Sequence, residues 1–258
     1  MDNKNSAGYI KTYDQLTVAD NFLFRKIMQK PEICKQVLER ILGRGLTNIS
    51  YQESLLGMLV KDDENTYYAL EMLQEGTKEI PKRARKYCST IVQELVACGE
   101  TYYNLSDVVV IFICPFDLFG AGRAKYVIRE YEDSEQHLLY SDGCTRIIIN
   151  TKGKADTEEL QSFLNYLEGQ KNTKDPLVRT LQKEEQLASK NAEWRADFIK
   201  LQAREIDQKE IRRQEGLKEG RKIARQEAIH SLLNNGFSVD EVKRLLKVSD
   251  EEISRLRK

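Results

Sequence analysis

The stretch SLLGMLVKDDENTYYALEMLQEGTKEIPKRARKYCSTI, from Ser54 to Ile91, decides the fold. Leu55 to Lys61 is short and apolar, and Asp62-Asp63-Glu64-Asn65 is a polar turn signal. Thr66 to Leu73 then carries Tyr67, Tyr68, Leu70 and Met72, residues that suit a mostly buried strand. Pro81 can open a helix, because the N–H it lacks has no partner in a first turn. Behind it Ala84, Cys88, Ile91, Val92, Leu95 and Val96 recur at helical spacing on one face. The reading is strand, turn, strand, helix.

Two features of this stretch carry chemistry. Glu71 is an acid inside an apolar strand. Either it lies on the strand's wet face, or it is buried and needs a metal, a base or a hydrogen-bond donor. Lys82-Arg83-Ala84-Arg85-Lys86 sets four cations in the first turns of a helix, where the macrodipole favours acids. The run is either a solvated face or a grip for an anion such as phosphate. Neutralising four phosphates would give a log–log salt slope of about −3.6.

Outward from this stretch, Leu16 to Gly43 reads as two helices. Thr17-x-x-Asp20 resembles a capping box, and Phe24, Ile27 and Met28 fall at core spacing. Pro31 opens the second helix and Gly43 lies past its end. Asp107 to Cys114 is a continuous apolar run, expected as a strand buried on both faces. Ala124–Tyr131 and Cys144–Asn150 read as further strands, and Asp156–Leu167 as a helix. Gly120-x-Gly122 lacks the third glycine and the following helix of a phosphate loop. Strands flanked by helices give an α/β layered domain.

These segments, in this order, resemble the PD-(D/E)XK nuclease family transposases, also called the recombination-promoting nuclease/putative transposase family. The segments are Leu16–Gly43, the hairpin with PKRARKY, Asp107–Gly122 (DVVVIFICPFDLFGAG) and Asp142–Lys154 (DGCTRIIINTKGK). The resemblance implies a restriction-endonuclease-like mixed sheet flanked by helices. It also implies Mg²⁺-dependent cleavage of DNA linked to recombination, the work of a mobile element in the cytoplasm. An Asp and a Glu would hold the metal, and a Gln or Lys would steady the attacking water. This chain departs from that pattern. Gly57 stands where the Asp belongs and Leu73 where the Gln or Lys belongs, with Gln74 one residue late and on the other strand face. Tyr87-Cys88 replaces the usual Tyr-Gln. Glu71 is the expected catalytic and metal-binding residue that remains. Asp20 is the candidate second metal ligand, and a helix cap otherwise; Glu53 is a further acid to place. Lys82, Arg83, Arg85 and Lys86 would bind DNA phosphates. Cleavage is expected to be weak or lost, and the alternative is a non-catalytic DNA-binding or assembly protein on the same scaffold.

Forty-one cations balance 41 acids, so nucleic-acid contact must come from a local patch rather than bulk charge. Cys34, Cys88, Cys98, Cys114 and Cys144 form no C-x-x-C pair and read as reduced thiols of a cytosolic protein. Met1 to Thr12 is polar and lacks a signal core, and no apolar run is long enough to span a bilayer. His137 and His230 are the only histidines, and no Ser-His-Asp, Cys-His or zinc pattern accompanies them.

Composition shifts near Lys171, giving expected divisions at 1–170, 171–227 and 228–258. The middle part reads as a long charged helix. Its line Leu187–Trp194–Leu201, with Phe198 beside it, predicts a coiled-coil seam and a homodimer through the 181–201 helix. The last part regains apolar faces. Ser238-x-x-Glu241 and Ser249-x-x-Glu252 are capping boxes, and the arrangement resembles a helix-turn-helix module.

Overall fold

The computed structural model describes residues 11–249 except 55–57, 75–78 and 136. The chain divides into two compact units, Met1–Arg195 and Ala196–Lys258. No helix among the described residues is long and apolar enough to cross a membrane.

In the first unit a 3₁₀ turn, Tyr13–Gln15, precedes α1 (Asn21–Ile27) and α2 (Pro31–Leu42). Three strands follow, β1 (Ile49–Gln52), β2 (Leu59–Asp62) and β3 (Tyr67–Met72), then α3 (Ile80–Ala97). β4 (Val108–Cys114), β5 (Lys125–Ile128) and β6 (Cys144–Asn150) complete the sheet, and α4 (Glu158–Leu167) and α5 (Pro176–Ser189) close the unit. The six strands lie in the order β1-β2-β3-β4-β6-β5. β1, β2 and β3 form an antiparallel meander, β3, β4 and β6 run parallel, and β5 returns antiparallel on the edge beside β6. This is the mixed α/β class expected from the sequence.

The side-chain period of two builds both cores. Tyr68, Leu70 and Met72 of β3, Ile111 and Ile113 of β4 and Ile147 and Ile149 of β6 pack with α1, α2, α4 and α5 on one face. Tyr67, Ala69 and Leu73, Val108, Val110, Phe112 and Cys114, and Ile148 pack under α3 on the other. β4 is therefore buried on both faces, as its unbroken apolar run requires.

Several expectations are corrected. β1 was not expected: it is a four-residue edge strand with two exposed residues, too short to show alternation. β2 begins at Leu59; Leu55, Leu56 and Gly57 lie outside the described residues. The first unit runs through Arg195 rather than ending near 170, because Leu177, Val178, Leu181 and Ala188 of α5 are buried in its core. The charged region is not one helix. α5 stops at Ser189 and α6 (Ala192–Asn234) starts two residues beyond Lys190. Leu187 and Trp194 thus lie on different helices, and Trp194 packs against the core of the first unit, with Lys26 Nζ 5.9 Å from its ring centroid. The expected seam at 181–201 is broken there. Nor are all five cysteines reduced. Cys88 of α3 and Cys144 of β6 form a disulfide, their Cα atoms 6.7 Å apart because helix and strand face one another across the second core.

In the second unit α6 ends at Asn234, and Gly236 takes φ +88° in the turn to α7 (Val239–Leu246). The Ser238–Glu241 capping box forms as expected. Ile229, Val242 and Val248 make a small core with Leu232, Leu233, Val239 and Leu246 around it. The box at Ser249 reaches beyond the described residues.

Candidate functional site

Glu71 follows Ala69 and precedes Leu73 on the face that α3 covers, so its carboxylate meets that helix rather than water. Its side chain is 14% exposed. Arg83 and Tyr87 are four residues apart on α3 and project together from one side of it. Arg83 donates from Nη2 to Glu71 Oε1, and the Tyr87 hydroxyl donates to Oε2. Phe112 floors the cluster from β4. Its ring is edge-to-face with Tyr87, centroids 5.3 Å apart, and lies 5.8 Å from the Arg83 guanidinium carbon.

The electrostatics agree with a closed cluster. Burial pushes the Tyr87 hydroxyl up to about 12, and its hydrogen bond to the Glu71 carboxylate adds to the rise. Burial draws Arg83 down, but its hydrogen bond with Tyr87 and the Glu71 charge outweigh it and leave the guanidinium above its ordinary value. Both carboxylate oxygens are thus engaged, one by a cation.

A divalent metal does not fit this arrangement. Mg²⁺ needs oxygen ligands with near-octahedral freedom, and Glu71 has a guanidinium where the ion would sit. Among the described residues no group of three or more His, Cys, Asp or Glu could hold a metal ion. Asp20 does not join Glu71. It precedes α1, whose buried residues belong to the opposite core, and it accepts from Lys11 Nζ at 2.7 and 2.9 Å and from the Thr17 backbone N–H at 2.8 Å. It holds the N-cap place of α1 without a side-chain bond into the helix, and its bond back to the Thr17 N–H is the reach-back half of the Thr17-x-x-Asp20 box. Glu53 lies exposed beyond β1.

The basic run is divided. Arg83 is committed to Glu71, whereas Lys82, Arg85 and Lys86 stay exposed on the outer face of the first turns of α3. The glycine loop after β4 is also committed internally. Asp117 accepts from the N–H groups of Phe119 and Gly122, at 3.1 and 2.7 Å, and from the Tyr126 hydroxyl at 2.8 Å. Those amides are taken by a carboxylate rather than left for a phosphate.

Sequence reasoning missed Tyr87 as a partner of Glu71 and placed Arg83 outward. The available signal was the i, i+4 spacing of Arg83 and Tyr87 on the side of α3 that also carries Ala84 and Cys88. No protein-family model matches the chain, and neither a curated protein nor a solved structure matches it.

Proposed function

We propose that this chain is a DNA-binding protein on a PD-(D/E)XK-like, restriction-endonuclease-like scaffold in which the cleavage chemistry has been replaced by a structural ion pair. The observation that carries this reading is the closure of Glu71 by Arg83 and Tyr87. A nuclease of this type needs its acid open to a metal and a water; here the acid neutralises a cation inside the fold. The resemblance to PD-(D/E)XK transposases supplies the scaffold, and the departures at Gly57 and Leu73 point the same way as the ion pair.

What remains for DNA is the exposed trio Lys82, Arg85 and Lys86 on one helical face. On a chain with no net charge such a patch binds the phosphate backbone without reading bases. Three neutralised phosphates give a log–log salt slope of about −2.7, shallower than the −3.6 of a four-cation grip. Fluorescence anisotropy with duplex DNA across a salt series measures it. Triple replacement of Lys82, Arg85 and Lys86 by Ala is expected to remove the salt-dependent binding. Affinity that ignores salt, or that survives the triple replacement, contradicts the reading.

A further inference from the structure

Between Ile199 and Ala224 helix α6 exposes nearly all of its residues. Ile199, Ile206 and Leu217 are 58, 52 and 49% exposed. Their separations of seven and eleven residues each close a whole number of turns to within about 20°, with opposite signs, so the three fall on one line along the helix. Ala203, Gly220 and Ala224 continue that line at steps of three and four. In its middle sit Glu210 and Arg213. Arg213 donates from Nε and Nη2 to the two oxygens of Glu210, both at 2.8 Å. Leu201, Ile211 and Ile223 lie more than about 100° around the helix from this line.

We propose that this stripe is the interface of an antiparallel dimer with a second copy of the chain, in which Glu210 of each copy faces Arg213 of the other. The line has a dyad built into it. When two such helices run antiparallel about a point between Ile211 and Arg212, Ile206 meets Leu217, Ile199 meets Ala224, Ala203 meets Gly220, and Glu210 meets Arg213, twice over. Ile206 and Leu217 face each other as large side chains, Ala203 and Gly220 as small ones, Ile199 packs on Ala224, and Glu210 and Arg213 each meet their opposite. Parallel pairing in register would set Glu210 on Glu210 and Arg213 on Arg213, so charge selects the antiparallel arrangement. A lone helix of this composition has no packed face over these residues, and packing supplies most helical stability. A second copy supplies it. Lys200 and Arg221 come near each other in this register and oppose it. With few apolar layers besides, the dimer is weak, forming in the micromolar range.

The test uses the full-length chain. Sedimentation equilibrium at tens of micromolar is expected to show a dimer that dissociates on dilution. Glu210→Arg puts two cations in each stripe and Arg213→Glu puts two acids there. Each variant alone is expected to self-associate at least about tenfold more weakly, and a one-to-one mixture to form a heterodimer. Neither variant retains the Glu210–Arg213 bond within its own helix, so a preference for the mixture reports pairing between chains. In a Cys98→Ser background, which removes an exposed thiol, chains carrying Ile206→Cys and Leu217→Cys are expected to cross-link to one another on oxidation but not to themselves. A monomeric parent chain, a mixture no more associated than its components, or self-linking of Ile206→Cys would each overturn the proposal.

Discussion

Arg83→Ala is expected to destabilise the first unit by about 2–4 kcal/mol, one of the largest losses for a substitution at a residue with a partly exposed side chain. Removing one member of a buried ion pair costs about 3–5 kcal/mol, because the other charge is left in low dielectric. Glu71 is well covered, at 14% exposed, but Arg83 is 40% exposed, and water reaching the vacated space lowers the cost toward the bottom of that range. Tyr87 would keep one hydrogen bond to the stranded carboxylate. The double variant Glu71→Gln, Arg83→Met is expected to recover much of the loss, since it removes both charges at similar volume and leaves Tyr87 an acceptor. Urea unfolding with an unchanged slope measures both. A loss below about 0.5 kcal/mol for Arg83→Ala would mean that the pair is not what holds Glu71.

Raising the pH from 9 to 12 is expected to unfold the protein in one steep transition. Burial, and then the Glu71 carboxylate, push Tyr87 up to about 12. Burial pushes the Cys34 and Cys114 thiols up to about 12. Burial raises the Tyr68 and Tyr166 hydroxyls further, with Asp62 and Glu185 adding to the rise. Each of these groups holds its proton more tightly folded than unfolded. Its contribution is therefore complete below its ordinary value, near 9 for a thiol and 10 for a phenol, and is lost as the pH climbs through the folded value. Two units of displacement at Tyr87 correspond to at most about 3 kcal/mol, and solvent reaching the partly exposed ring lowers that figure. Several such groups together reach the scale of a whole domain's stability, about 5–15 kcal/mol. Tyrosinate absorbance followed beside circular dichroism checks it. Buried tyrosines that titrate near pH 10 with the fold intact would contradict the account.

The parts legible in the sequence are those where local signals and burial agree. β3, α3, β4 and β6 were readable because Tyr67 to Met72, the α3 stripe and the runs Val108–Cys114 and Cys144–Asn150 are apolar at the right period and bounded by turn residues. β1 carries no such signal. The division of the charged region at Lys190 was written more faintly. Asn191 accepts from the Trp194 backbone N–H at 3.0 Å, and Asp175 accepts from that of Val178 at 3.0 Å ahead of Pro176. Both are helix starts, but a seven-residue apolar spacing across Lys190 masks the first. At the site, Glu71 was recognisable as an acid out of place, yet its partners were not. Which of four neighbouring cations turns inward depends on how α3 is rotated over the sheet, and Phe112, 41 residues downstream of Glu71, helps to set that rotation. The Cys88–Cys144 pairing, across 56 residues, is likewise a product of the fold and not of spacing.

The central claim is that Glu71 serves the fold and not a metal. Supercoiled plasmid incubated with the intact chain and Mg²⁺ or Mn²⁺ tests it most directly. The account predicts plasmid that is retarded in the gel through Lys82, Arg85 and Lys86 but is nicked no faster than with the Glu71→Ala variant. Metal-dependent nicking that Glu71→Ala abolishes, in a variant that still binds the plasmid, would contradict it.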